Sequence, residues 1–166
     1  MLAVIWIAAA LAGDVGASVG ALFWQGTARL EPAPMGAVRV SAEAGRFFGV
    51  TGEIGLSGNR FTAEHHDYSV FQVRPSAVAE IVLRRQRVSA RFGLGPYVAV
   101  RPTTLVAEDE RYDLLRVDGG VRARGALVVP LGDEQSRLQL VNHVAVHVGL
   151  SGAVDVDAGV GLGWVF

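Results

Sequence analysis

The amino-acid sequence predicts an all-β chain, an eight-stranded antiparallel up-and-down transmembrane β-barrel. Three observations lead there. Apolar residues recur with period two through most of the chain, the spacing of strands with one apolar side. Eight such segments follow one another, and an even number of strands closes an up-and-down ring. Long polar connections alternate with short turns, as expected when the two ends of a barrel face different compartments.

Composition narrows the alternatives. The chain has 166 residues, 51% of them apolar and 19% charged, with 21 glycines. That apolar content excludes a disordered chain. A net charge of −1 gives no electrostatic reason to expect a nucleic-acid partner. All 15 basic residues are arginine. No cysteine is present, which removes disulfides, thiolate metal sites and cysteine nucleophiles.

In chain order, Met1 to Ala12 is an unbroken apolar run ending in Ala10-Leu11-Ala12, a small-x-small cleavage pattern. It reads as a signal peptide over residues 1–12, although no Lys or Arg precedes the run. Cleavage leaves Gly13 at the front of a barrel domain over residues 13–166. A transmembrane helix continuing through Val15–Trp24 is the rival, but Asp14 interrupts it and Gly13, Gly16 and Gly20 weaken it.

Strand 1 sets Val15, Ala17, Val19, Ala21 and Phe23 against Asp14, Gly16, Ser18 and Gly20. Strand 2 sets Val38, Val40, Ala42 and Ala44 against Arg39, Ser41 and Glu43. In strand 3, Phe48, Val50, Ile54 and Leu56 oppose Thr51 and Glu53. Strand 4 runs from Phe71 to Leu83, with Gln72, Arg74, Ser76 and Glu80 on its polar side. Strand 5 opposes Val88, Ala90, Phe92, Leu94, Val98 and Val100 to Ser89, Arg91 and Tyr97. Strand 6 opposes Leu115, Val117, Val121, Ala123, Leu127 and Val129 to Arg116, Asp118, Arg122 and Arg124. Strand 7 opposes Leu138, Leu140, Val144, Val146 and Val148 to Gln139, His143 and His147. Asn142 is the one polar residue on its apolar side. Strand 8 carries Val154, Val156, Ala158, Val160, Leu162, Trp164 and Phe166 against Asp155, Asp157, Gly159, Gly161 and Gly163. Residues 25–34, 57–69 and 102–113 read as long polar loops. Gly45–Phe47, Arg85-Gln86, Pro130–Ser136 and Ser151-Gly152 read as the shorter connections.

The polar faces decide which side points outward. A soluble eight-stranded carrier puts its apolar face inside, and a membrane barrel inverts that arrangement. Here the polar faces mix Gly and Ser with Arg, Asp and Glu, which suits a narrow lumen packed around ion pairs. Aromatics agree: Phe48, Trp164 and Phe166 gather at the short-turn end, and Phe23 and Phe71 at the other.

With its terminal strand Val154–Phe166 alternating apolar residues and ending on Phe, the mature chain resembles the small eight-stranded outer-membrane barrels of Gram-negative bacteria, the OmpA/OmpX type. The resemblance implies residence in the outer membrane, contact with its lipid, and recognition by the outer-membrane assembly machinery. Val160, Leu162, Trp164 and Phe166 then carry the assembly signal. Unlike family members that carry a periplasmic peptidoglycan-binding domain after the barrel, this sequence is expected to have the barrel alone.

Candidate chemistry is sparse. His143 and His147 point to one side of a strand about 13 Å apart, at ~3.3 Å per residue, too far to share a metal. Gly159, Gly161 and Gly163 alternate on a strand with no helix after them, unlike a dinucleotide loop. Glu64-His65-His66-Asp67 and Glu108-Asp109-Glu110 read as solvated loop clusters. The His-x-Ser pair of lipid A deacylases is missing, since Ala145 and Gly149 follow the two histidines at that spacing. The sequence therefore suggests no metal, no cofactor and no catalytic residue. What remains is a lumenal ion-pair set: Arg39, Glu43, Glu53, Arg74, Glu80, Arg91, Asp118, Arg122, Arg124, His147, Asp155 and Asp157. Within it, a turn at Arg85-Gln86 places Glu80 opposite Arg91, and the Ser151-Gly152 turn places His147 opposite Asp155, with Asp118 on its other side. The function that fits is a non-enzymatic barrel with a structural or surface-interaction role and an unidentified loop partner. A narrow porin-like pore, a lipid A-modifying enzyme and a secreted lipocalin-like carrier are the alternatives.

Overall fold

The computed structural model describes residues 13–25, 30–63, 66–107, 110–133 and 136–166. The expected signal peptide lies outside them, as do Glu64-His65 and Glu108-Asp109. The described residues form eight strands: β1 (Gly13–Gln25), β2 (Leu30–Ala44), β3 (Phe48–Ala63), β4 (His66–Arg85), β5 (Val88–Ala107), β6 (Glu110–Pro130), β7 (Leu138–Gly149) and β8 (Val154–Val165). Each pairs antiparallel with its neighbours in sequence, and β1 pairs with β8, closing the ring. Following the register from Gly13 through Ala42, Val50, Ala79, Leu94, Ala123, Val146 and Val156 leads back to Phe23, ten residues along β1. That stagger means the strands tilt by roughly 40° to the barrel axis.

Burial is inverted relative to a soluble barrel. Along β7, Gln139, Val141, His143, Ala145 and His147 are buried and alternate with exposed Asn142, Val144, Val146 and Val148. Val19 is 67% exposed and Leu94 62%, whereas Arg122 is 1% and Asp157 0% exposed. Charge goes inward and aliphatic surface outward, the arrangement a lipid surround stabilises.

The start of β1 at Gly13, the C-terminal Phe166 and the β2–β3, β4–β5 and β6–β7 connections share one end of the barrel, the terminal end. Phe48, Trp164 and Phe166 form an exposed aromatic rim there. Phe47 joins them from the turn, with the Arg46 guanidinium 5.4 Å from its ring centre. Phe71 is exposed toward the opposite, outer end.

All three expected long loops are strand throughout their described residues, and the β1–β2 ladder continues to Gln25 opposite Leu30. The β3–β4 ladder continues to Ala63 opposite His66, and the β5–β6 ladder to Ala107 opposite Glu110. Because β7 pairs with β6 only from Gly120 onward, β3 to β6 rise as a four-stranded sheet beyond β7 and β8. Alternation persists through these segments, as in Val70, Tyr68, Leu105 and Tyr112. Their polar content reflects two wet faces, not an irregular backbone.

Candidate functional site in the lumen

The bore is crossed by side chains from every wall. At the terminal end, Asp14 on β1 meets Arg39 on β2 at 3.4 Å and Arg91 on β5 at 3.1 Å. Arg91 also reaches Glu43 at 3.2 Å, and Glu43 pairs on its other side with the more exposed Arg84. One layer further in, Arg124 Nη1 lies 2.5 Å from Glu80 Oε1. The Thr51 hydroxyl donates to Glu80 Oε2 at 2.8 Å and contacts Ser41 Oγ at 3.0 Å. Glu53 bridges upward, 3.9 Å from Arg124 and 2.6 Å from Arg122.

Asp157 is the hub of the next layer. Arg74 Nη2 donates to it at 2.9 Å, and Arg122 lies 3.7 Å away. His147 Nε2 is at 2.6 Å and His143 Nε2 at 3.4 Å from its two oxygens. The register explains the shared carboxylate. Asp157 pairs with Ala145, midway between the two histidines on β7, and both rings lean diagonally toward it as cross-strand neighbours do. The ~13 Å of strand between them, at ~3.3 Å per residue, thus rules out direct proximity but not a common partner. Tyr97 meets His147 edge to face at 5.0 Å between ring centres. Arg122 also donates to Ser76 Oγ at 2.7 Å. Higher still, Asp155 pairs with Arg101, and Leu22, Ala33 and Met35, with Val70 against them, form an apolar cluster toward the outer end.

Glycines on β1 and β8 make room for this crossing. A Cβ on Gly163 would lie 2.7 Å from Arg39 Nη2 and 2.9 Å from Gln139 Nε2, and one on Gly159 2.8 Å from His143 Cε1. The small wall is therefore the surface against which long polar side chains from β2 and β7 pack.

Several expected pairings change. The β4–β5 turn is Gln86-Arg87, with Gln86 at φ 56°, so Glu80 faces Gly93 and Arg91 faces Val82. Glu80 finds Arg124 and Arg91 finds Asp14 and Glu43 instead. His147 does lie opposite Asp155 in the ladder, but on β6 it faces Arg122, and its hydrogen-bond partner is Asp157. Asp118 sits above the top of β7, where its carboxylate accepts from Ser151 Oγ at 2.6 Å and from the Gly119 amide at 3.0 Å. The Ser151 hydroxyl, more than the Gly119 amide, holds that carboxyl below its ordinary range against the opposing effect of desolvation. Arg116 is exposed on the rising sheet, not in the lumen. The sequence reading missed Arg101 because Pro102 and two threonines ended strand 5 too early. Continuing the odd-numbered inward face from Tyr97 and Ala99 would have found it.

No group of three or more His, Cys, Asp or Glu side chains with metal-holding geometry occurs among the described residues. What the arrangement does chemically is neutralise charge across the bore. Each buried arginine described above faces at least one carboxylate, the condition under which buried charges are tolerated.

No family model and no curated protein matches the sequence. Solved structures do. Ail, the attachment invasion locus protein of Yersinia pestis, solved in complex with the heparin analogue sucrose octasulfate, superposes with a TM-score of 0.67 at 12% identity, over 93% of this chain and 99% of Ail. Neisserial surface protein A superposes at 0.65 with 9% identity, over 93% of this chain and 97% of its own. A major outer-membrane protein from Thermus thermophilus superposes at 0.61 with 13% identity, covering 93% and 99%. Strand number, closure and inverted burial agree with these likenesses: in fold, the chain is an eight-stranded outer-membrane β-barrel of the OmpA/OmpX type.

Proposed function

We propose that this chain is an integral outer-membrane protein of a Gram-negative bacterium with a structural or surface-interaction role and no catalytic one. The observation that carries the reading is the division of the molecule into a bore filled with paired charges and a four-stranded sheet raised beyond the β7–β8 rim. A filled bore supports an anchor more than a wide channel. The raised sheet offers surface to whatever lies outside, with Tyr112, Leu114, Leu115 and Val117 all exposed on β6. Residues 1–12 serve as the export signal in this reading. Val160, Leu162, Trp164 and Phe166, all exposed on β8 or just after it, are the elements the assembly machinery would read.

Fractionation with electrophoresis before and after boiling tests it. The protein is expected in the outer membrane, with a mobility that changes on heating as the barrel unfolds. Deleting Phe166 is expected to lower the amount of this heat-modifiable form. Recovery in the soluble fraction, or a yield unchanged by the deletion, counts against the reading.

A further inference from the structure

Between the terminal rim and the level of Phe71, the outward faces of the described residues carry side chains without hydrogen-bonding groups, with one exception. Trp164 lies on the rim itself, where an indole N–H meets water. Asn142 does not: it is the fifth residue of β7, exposed, and flanked in its ladders by Leu127 and Val160. No side chain or backbone group among the described residues bonds its amide. Hydrocarbon offers nothing to a carboxamide, so an unpaired one at this depth is unfavourable.

We propose that the β6–β7–β8 face is a two-fold interface in which Asn142 of one copy pairs with Asn142 of a second copy of this chain. The inference rests on the outer-membrane reading, which puts this face in lipid. Every copy inserted in the same sense holds its Asn142 at the same depth. A carboxamide is both donor and acceptor, so two of them satisfy each other reciprocally across a rotation axis along the membrane normal. On the β6 flank, small Ala123 and Gly125 lie beside Leu127, with the Phe92 ring of β5 packed against Gly125. A rotation of this kind sets the β6 flank of one copy against the β8 flank of the other. There, an open apolar groove of about 360 Å³ lies between Ala17, Val19, Leu140, Val160 and Leu162, of a size to receive the projecting Leu127. Small residues beside a polar pair are what membrane-embedded association uses in place of a hydrophobic driving force.

The absence of native cysteine makes the test direct. Val144→Cys, beside Asn142, and Val50→Cys, on the opposite wall, are reconstituted separately into phosphatidylcholine vesicles and treated with a short bis-maleimide. Cross-linked dimer is expected from Val144→Cys and not from Val50→Cys. Energy transfer between labelled copies in the same vesicles gives the dissociation constant. Asn142→Leu is expected to raise it about tenfold, and Asn142→Gln, which keeps the carboxamide, to raise it less. A monomer at all protein-to-lipid ratios, equal cross-linking at both positions, or an Asn142→Leu constant equal to that of the parent overturns the interface. Heat-dependent mobility is measured on every sample. A folded monomer refutes the interface alone, while a chain that does not enter the membrane refutes the reading beneath it.

Discussion

The ring and the sheet that rises from it share β3 to β6, yet their inward faces end in opposite surroundings. Within the ring, inward Arg122 on β6 is 1% exposed and held by Glu53, Ser76 and Asp157. Six residues earlier on the same face, Arg116 is exposed, because no β7 or β8 stands across from it. Tyr112 and Asp113 on the raised sheet have short-range partners: Tyr112, on the same face as Arg116, donates to Glu110, and Asp113, on the opposite face, accepts from Thr104 Oγ1 at 2.7 Å and Arg111 Nε at 3.2 Å. Closure, not local sequence, turns a polar strand face into an interior. Charges there are desolvated and must pair, whereas the same residue types on the open sheet remain in water.

Breaking a pair in the ring should have the largest effect. Arg124→Met leaves Glu80 buried without its cation, and is expected to cost about 3–5 kcal/mol. Replacing Glu80 by Leu as well should recover much of that loss, since an apolar pair carries no uncompensated charge. Urea unfolding in vesicles, followed by heat-dependent mobility, measures both. If the double variant is no better than the single, pairing is not what holds this layer.

The glycine wall gives the next effect. Gly159→Val is expected to lose about 1–3 kcal/mol by crowding His143 and the Val19 carbonyl. Gly125→Val places its Cβ 3.7 Å from the Phe92 ring on the outward face, and should stay within about 0.5 kcal/mol of the parent. Equal losses at both sites would mean that lumen crowding does not explain the glycines.

At the terminal end, Gln86 holds φ 56° in its turn. Gln86→Gly is expected to stabilise the barrel by up to about 1 kcal/mol, because glycine adopts the left-handed region without Cβ strain. A lower unfolding midpoint would refute this.

The raised sheet should matter least to stability. Removing Thr104–Asp113 and joining Thr103 to Leu114 through Asn-Gly is expected to leave the unfolding midpoint unchanged. A large drop would show that the sheet supports the ring. In the intact protein, NMR titration should find the Asp113 carboxyl below its ordinary range, chiefly through the Thr104 hydroxyl and then Arg111. A folded pKa below the unfolded one means these bonds support the hairpin at neutral pH and are lost as pH falls through the lowered value. An Asp113 titrating at the ordinary carboxylate value would sink the assignment.

The strand number, the inward and outward assignment of most residues, and the β7–β8 register were legible in the chain, each for a local reason. Period two assigns faces without reference to other strands, and the Ser151-Gly152 turn sets pairing between segments a few residues apart. Strand ends were less legible. At Arg101 and through 57–69 and 102–113, polar alternation on a sheet wetted on both sides looks like a loop. The β4–β5 turn lies one residue beyond the expected Arg85-Gln86, because its two central residues, Gln86 and Arg87, include no Gly or Asn to mark it.

Partnership inside the bore was decided by tertiary structure alone. Arg74 and Asp157 are 83 positions apart, Arg124 and Glu80 44, and Arg39 and Asp14 25. Only the last of these pairs lies on neighbouring strands, and even there Asp14 sits opposite Ser41 and not Arg39. The ten-residue shift around the ring sets which inward side chains share a layer, and it is a sum over eight registers that no single hairpin contains. Alternation in the sequence determined that these charges point inward. Closure of the tilted ring determined which charge each one meets.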